Sequence, residues 1–253
     1  MPRAKVLNRE PAAPTLGADA LAQRILAEAQ AIASPEQCAR LDQLTGQLRR
    51  TDPSSIGSDA SRIAFWTNLY NALLLHCLCL KPVRGSILMH LRMFRRIAYD
   101  VGGHDYSLDV IEHGLLRRNR RPPWRPRRVL RGSDPRLAAA PSRPDPRIHF
   151  ALNCGARSCP PVRVYDADTL DQELAAATRA YLAAETTLDP ERGRAVLPRL
   201  MRLYRADFGD RAEQLRFVAL YLPDLAAYQR ASPGRLRVRY GPFDWTAVAP
   251  SRG

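Results

Sequence analysis

The chain has 253 residues, 45% hydrophobic and 25% charged, with a formal net charge of +14. That balance excludes global disorder and fits one large domain or two small ones. No uninterrupted apolar run reaches the length of a bilayer span, and no apolar stretch follows Arg3, Lys5 and Arg9, so a soluble, cytoplasmic protein without a membrane partner is expected.

The five cysteines, Cys38, Cys77, Cys79, Cys154 and Cys159, are odd in number. They are expected as reduced thiols rather than a disulfide framework. Apart from Lys5 and Lys81 the lysine-plus-arginine charge is all arginine, scattered along the chain. The one dense cluster, Arg117 to Arg131, is broken by Pro122, Pro123 and Pro126, which exclude a helix. It reads as a solvated, mobile loop, and nucleic acid is not the expected partner despite the charge.

In chain order, residues 1–16 read as a disordered leader. Leu21, Ile25, Ala29 and Ile32 then recur at helical spacing, and a second helix is expected from Ser34 with Pro35 in its first turn. Residues 52–57 read as a loop. A long apolar helix follows over 59–80, buried on most sides and ended by Lys81-Pro82. Another helix is expected over 86–97. Gly102-Gly103 then joins two short strands as a hairpin, and Ser107 is placed to cap a helix running to Arg118. Residues 119–146 are proline-rich and long for a connection, as lids often are.

Residues 147–153 alternate apolar and polar, which predicts a half-buried strand with His149 and Asn153 on one face. After a turn at 155–161, a helix is expected over about 168–185, a short strand near 195–197, helices over about 198–208 and 210–222, and a closing strand at Leu236, Val238 and Tyr240. The fold class is α+β: a mainly helical single domain with a small antiparallel sheet. Its parts are the leader, a helical extension over 17–57, and a domain over 58–250 with a flexible Arg/Pro-rich loop at 118–146.

The candidate chemistry lies in the run from His149 to Pro161. Two thiols five residues apart, Cys154 and Cys159, sit in a turn restricted by Gly155 and Pro160-Pro161. A thiol is nucleophilic as its thiolate, which His149 as base and Arg157 as a positive neighbour would favour. Asn153 can orient the imidazole or donate to an oxyanion. Glu112-His113 forms a second candidate acid–base pair, although neighbours on a helix point about 100° apart. On the long helix, Trp66, Asn68 and Asn71 either brace loops or line a polar cavity. A metal bound by Cys154, Cys159, His149 and His113 is a weaker alternative, because the Cys spacing is long for structural zinc. No cofactor is expected.

The stretches AFWTNLYNALLLH (64–76), YDVGGHDYSLDVIEHGLLR (99–117), DPRIHFALNCGARSCPPV (145–162), YRADFG (204–209) and YGPFDW (240–245) resemble the domain-of-unknown-function family DUF547. That family occurs in bacteria and, in plants, attached to leucine-zipper segments; residues 17–50 are too short and irregular for such a zipper. The hallmark positions of the family are Trp66, Asn68, Tyr70, Asn71, Glu112, His113, His149, Cys154, Cys159 and Pro160, and all are present. The resemblance implies no particular reaction. By analogy with papain- or transglutaminase-type folds, the expectation is a thiol-dependent hydrolase or acyl/amide transferase acting on a small-molecule or peptide-like substrate. Cys159 or Cys154 would be its nucleophile, His149 or His113 the base, and Glu112 an orienting carboxylate. The competing expectation is a module that binds a ligand or partner without chemistry.

Overall fold

The computed structural model describes residues 4–32, 35–232 and 234–248, with the side chains of residues 35 and 36 left out. The expected helix start at Ser34 therefore lies outside the described residues, as do the first three and last five residues.

The organising element is α3 (Asp59–Leu80). Ser58 caps it by accepting from the Ser61 backbone N–H at 3.0 Å, and Asp59 favours its first turn through the helix dipole. Its apolar residues are not confined to one stripe, so it has to be covered on several sides. Phe65, Trp66, Leu69, Leu73 and Leu74 are all fully buried. α3 is long and apolar enough to cross a bilayer, but 83% of its apolar window is buried inside the protein.

α1 (Ala18–Gln30) lays Leu21, Ile25 and Ala29 on α3, as its spacing predicts, and α2 (Pro35–Thr45) packs beside both. Residues 4–16 are not a free leader. β1 (Lys5–Val6) pairs in parallel with β2 (Ile97–Val101), and Asn8 is buried, its amide nitrogen donating to the Thr45 and Asp100 carbonyls at 2.9 Å. A polar asparagine and an isolated lysine gave no periodic signal there; long-range backbone pairing supplies the order.

β2 turns through Gly102 (φ 57°) and Gly103 (φ 84°) into β3 (His104–Ser107), a left-handed pair that only glycine adopts cheaply. α4 (Leu91–Arg96), preceded by a 3₁₀ turn over Ile87–His90, occupies the span expected as one helix. Ser107 does cap the next helix, accepting from the Val110 N–H at 3.3 Å. That helix, Val110–Leu116, has π geometry: the Arg117 and Asn119 N–H groups reach back five residues to the Glu112 and Gly114 carbonyls.

The Arg/Pro-rich segment, expected as a flexible loop, is tied to the body. Asn119 exchanges two hydrogen bonds with the backbone of buried Leu130, and the Ala139 and Ala140 carbonyls accept from Trp66 and Arg62.

The predicted strand at 147–153 is instead a 3₁₀ turn, Pro146–Phe150, capped by Asp145. Pro146 in the first turn and the Asp145 carboxylate on the Arg147 N–H favour that turn over an extended chain, whatever the alternation of side chains. α5 (Leu170–Glu185) follows. A second small sheet then orders β4 (Thr187–Asp189), β5 (Arg194–Leu197) and β6 (Arg237–Tyr240), with β4–β5 antiparallel and β5–β6 parallel. Both sheets are therefore mixed rather than purely antiparallel. Between β5 and β6 lie α6 (Arg199–Leu203), α7 (Arg205–Phe208), α8 (Arg211–Ala219) and α9 (Pro223–Ala231). α8 opens with a capping box between Asp210 and Glu213, and α9 was not expected.

Two apolar cores result. One is built around α3; the other gathers Phe150, Leu182, Leu197, Met201 and Val218 around the second sheet.

Candidate active site

A cavity of about 300 Å³ opens on the seam between the two cores. Its wall is largely apolar, with Leu91, Leu152, Leu200, Leu203 and Trp245 among its residues, and its polar groups are few: Glu112, His149, Tyr70, Tyr204 and the two sulfurs of Cys154 and Cys159. An apolar hollow with a handful of convergent polar groups is the usual form of a small-molecule site.

The turn that carries the sulfurs is held from three sides. Asn71 on α3 donates to the Ala151 carbonyl at 3.0 Å and accepts from the Asn153 N–H at 2.9 Å. Asn153 spans the turn, donating to the Pro160 carbonyl at 2.8 Å while its oxygen accepts from the Gly155 N–H at 2.6 Å. Gly155 takes a left-handed φ of 83°. From outside, residues 244–248 strap the turn by backbone bonds from Arg157 to Thr246, Ser158 to Asp244 and Val248 to Gly155. This strap also delivers Phe243 and Trp245 to the cavity, a role that the sequence reading did not give to YGPFDW.

Cys154 and Cys159 are joined as a disulfide, their Cα atoms 6.2 Å apart, and the Cys154 N–H donates to the Cys159 sulfur at 3.1 Å. Cys38 on α2 and Cys79 on α3 form a second disulfide. Both pairs correct the expectation of reduced thiols. An odd count excludes complete pairing, not partial pairing, and the α2–α3 contact that joins 38 to 79 is tertiary. Cys77 is free and buried, and burial pushes its thiol up to about 12.

His149 is buried, with Nε2 at 2.8 Å from Asp207 Oδ2 and its ring stacked on Tyr204 at a centroid distance of 3.8 Å. Burial pushes the Asp207 carboxyl up, but hydrogen bonds from His149 and Arg117 outweigh it and hold the group well below the usual carboxylate range. The His149 imidazole is lowered, by burial first, against the opposing pull of Asp207. With Asp207 ionised it can only accept, so neutral His149 carries its proton on Nε2 and leaves Nδ1 as a lone pair without a partner among the described residues. A carboxylate that fixes a histidine tautomer is the arrangement a general base requires.

Glu112 sits between two phenols: Tyr204 donates to Oε1 at 2.7 Å and Tyr70 to Oε2 at 3.3 Å. Burial pushes this carboxyl up to about 7, against Arg117 and the phenol hydrogen bonds. Near neutral pH it both gives and takes a proton. Arg117, only 1% exposed, knits the cluster together: it donates to Asp207 at 2.5 Å and to His113 Nδ1 at 3.0 Å, with its guanidinium 5.0 Å from the Tyr204 ring centre.

The predicted residues divide accordingly. Glu112, His149, Cys154 and Cys159 meet at one cavity. His113 does not: it is fully buried, burial followed by Arg117 keeps it neutral, and its Nδ1 is occupied by Arg117. On the π-helix the two neighbours diverge, so only Glu112 reaches the hollow. Asn68 and Trp66 are braces, Asn68 pairing twice with the Tyr165 backbone and Trp66 donating to the Ala139 carbonyl at 2.9 Å. Asn71 and Asn153 hold the turn rather than a ligand. Arg157 is exposed and lies near Asp244, away from this cavity.

The metal alternative loses its sulfurs to each other, and His113 does not line the cavity where His149 and the sulfurs meet. Among the described residues no group of three His, Cys, Asp or Glu side chains is placed to hold a metal ion. Asp207, Tyr204 and Arg117 were missed as site residues. The first two lie in YRADFG, whose recognition carried no role, and a helical Arg beside Glu112-His113 looks like a surface cation until its burial is seen.

A protein family described as "Protein of unknown function, DUF547" matches residues 54–182, about half of the chain. No curated protein and no solved structure matches it.

Proposed function

The chain belongs to the DUF547 family, and on that footing we propose that it is a thiol-dependent hydrolase or acyl transferase working in its reduced form. The observation that carries this reading is His149, paired behind with Asp207 and lining the same apolar cavity as both sulfurs and Glu112.

A low-molecular-weight thiol reductant supplies two electrons to the Cys154–Cys159 bond, which breaks to two thiols as the reductant is oxidised to its disulfide. Cys159 is the nucleophile in this reading, because its sulfur receives the Cys154 N–H, a bond that favours a thiolate. His149 takes the Cys159 proton on Nδ1, and the sulfur attacks the substrate carbonyl. The tetrahedral intermediate collapses to a thioester as His149 passes that proton from Nδ1 to the leaving group. Water or an acceptor nucleophile, deprotonated by His149, then releases the acyl group and restores the thiol. Unlike the nucleophile of papain-like sites, Cys159 stands in a turn before two prolines, not at the start of a helix.

Hydrolysis of p-nitrophenyl butyrate by the reduced protein, compared with Cys159→Ser and Cys154→Ser, tests the reading. A rate that is lost in Cys159→Ser and depends on prior reduction supports it. An unchanged rate in both variants overturns it. The disulfide favours a second reading, binding without chemistry, in which the unreduced cavity takes an apolar ligand and reduction changes nothing.

A further inference from the structure

Beside the apolar cavity lies a second hollow, a cleft of about 480 Å³, lined by Arg117, Arg121, Arg125, Arg199, Arg202 and Arg205, with no acidic residue in its wall. Two of these cations are answered: Arg117 by Asp207 and Arg125 by Asp109 at 2.9 Å. The other four are not. Arg121, Arg199 and Arg205 make no ion pair among the described residues, and Arg202 rests only against the Tyr240 ring. Arg125 also keeps a buried Nε without a hydrogen-bond partner. Four uncompensated guanidinium groups around one cleft repel each other, and a multivalent anion relieves that repulsion. The planar fork of arginine suits phosphate oxygens, and one carboxylate would neutralise a quarter of the charge.

The cleft and the cavity are built from the same pieces. α6 turns Leu200 and Leu203 to the cavity and Arg199 and Arg202 to the cleft, with Leu203 shared by both. The proline-rich segment does the same, placing Trp124 at the cavity and Pro122, Pro123 and Arg125 at the cleft. We propose that the arginine cleft binds the phosphate groups of the molecule whose acyl part fills the cavity, so that the ligand is an acyl group on a phosphorylated carrier. The proposal rests on the thiol-enzyme reading for its substrate class, but binding reads it without turnover.

The test follows quenching of tryptophan fluorescence, since Trp124 and Trp245 both border the cavity. Octanoyl-coenzyme A is compared with the octanoyl thioester of N-acetylcysteamine, which has the same thioester and no phosphate. The charged ligand binds at least tenfold more tightly, its advantage shrinks as salt rises, and inorganic pyrophosphate competes with it. Arg121→Gln/Arg199→Gln/Arg202→Gln removes the advantage, whereas Arg127→Gln/Arg128→Gln, on exposed residues outside the cleft, keeps it. If the triple variant does not fold, Arg202→Glu alone reads the same loss.

Equal binding of the two thioesters, or an equal loss in the control pair, overturns the proposal. Vesicles of phosphatidic acid against phosphatidylcholine separate a lipid headgroup from a soluble carrier: the tighter of pyrophosphate and phosphatidic acid names the source, and binding of neither overturns the site. Cys159→Ser distinguishes the two claims. If the thiol reading fails, wild type and that variant turn over substrate alike or not at all; if the cleft fails, both bind the two thioesters equally.

Discussion

His149 Nε2 and Asp207 Oδ2, fifty-eight positions apart in the chain, meet at 2.8 Å. The same carboxylate accepts from the buried Arg117 and from the half-exposed Arg120 at 2.8 Å. One side chain therefore sets the tautomer of the imidazole and neutralises a guanidinium that water does not reach.

Asp207→Ala strands Arg117 without its counter-ion, and the expected cost is about 3–5 kcal/mol. Arg120→Ala removes a side chain that is 41% exposed, and the expected cost is below about 1 kcal/mol. Urea unfolding of the two variants measures the contrast, and equal costs would contradict the buried-pair account. Asp207→Asn keeps the shape but offers Nε2 a donor as readily as an acceptor. Thiol-dependent turnover is expected to fall by about a thousandfold or more.

The Glu112 carboxyl titrates from 4.5 in the unfolded chain to about 7 in the fold. Between those values the unfolded chain is ionised and the folded one is not. Each step upward in pH therefore costs the folded state, and the loss is complete above about 7. Glu112→Gln has no such term. The stability of the wild type relative to Glu112→Gln falls by about 3 kcal/mol across that window and is flat on either side. A difference that stays constant from pH 4 to pH 8 would refute the shift.

Mass spectrometry of the unreduced protein after alkylation is expected to find one labelled cysteine, Cys77, and only after unfolding, since its thiol is buried. Mild reduction opens Cys154–Cys159, which borders the cavity, to labelling. The Cys38–Cys79 bond closes a loop of 41 positions. Replacing both with alanine is expected to cost about 3–4 kcal/mol, read as a lower urea midpoint.

Asn71→Ala leaves the Ala151 carbonyl and the Asn153 N–H without partners, and Asn68→Ala leaves the Tyr165 N–H without one and its carbonyl with only the 3.4 Å bond from Gln23. Each is expected to cost about 3 kcal/mol. Asn→Asp at either place keeps the acceptor, loses the donor and adds a buried charge, so it is expected to cost more at pH 8 than at pH 4. A neutral effect of both alanine changes would show that these amides do not brace the loops.

Much of this was legible in the amino-acid order. The apolar density of 59–80 demanded a central helix, Gly102-Gly103 a tight hairpin, and Ser107 a cap, because each depends on interactions within a few residues. The seven-residue alternation at 147–153 misled for the complementary reason: period two describes where side chains point if the chain is extended, and Asp145-Pro146 bends it locally instead.

What the sequence determined by itself was which side chains were available for chemistry: a histidine, two spaced thiols and a glutamate in an otherwise apolar setting. What only the tertiary structure decided was their partners. Burial turned Arg117 from a surface cation into a buried link, moved Glu112 toward neutrality, paired the sulfurs and brought Asp207 to His149. Those outcomes depend on the dielectric and on distances between remote segments, which no local pattern of residues contains.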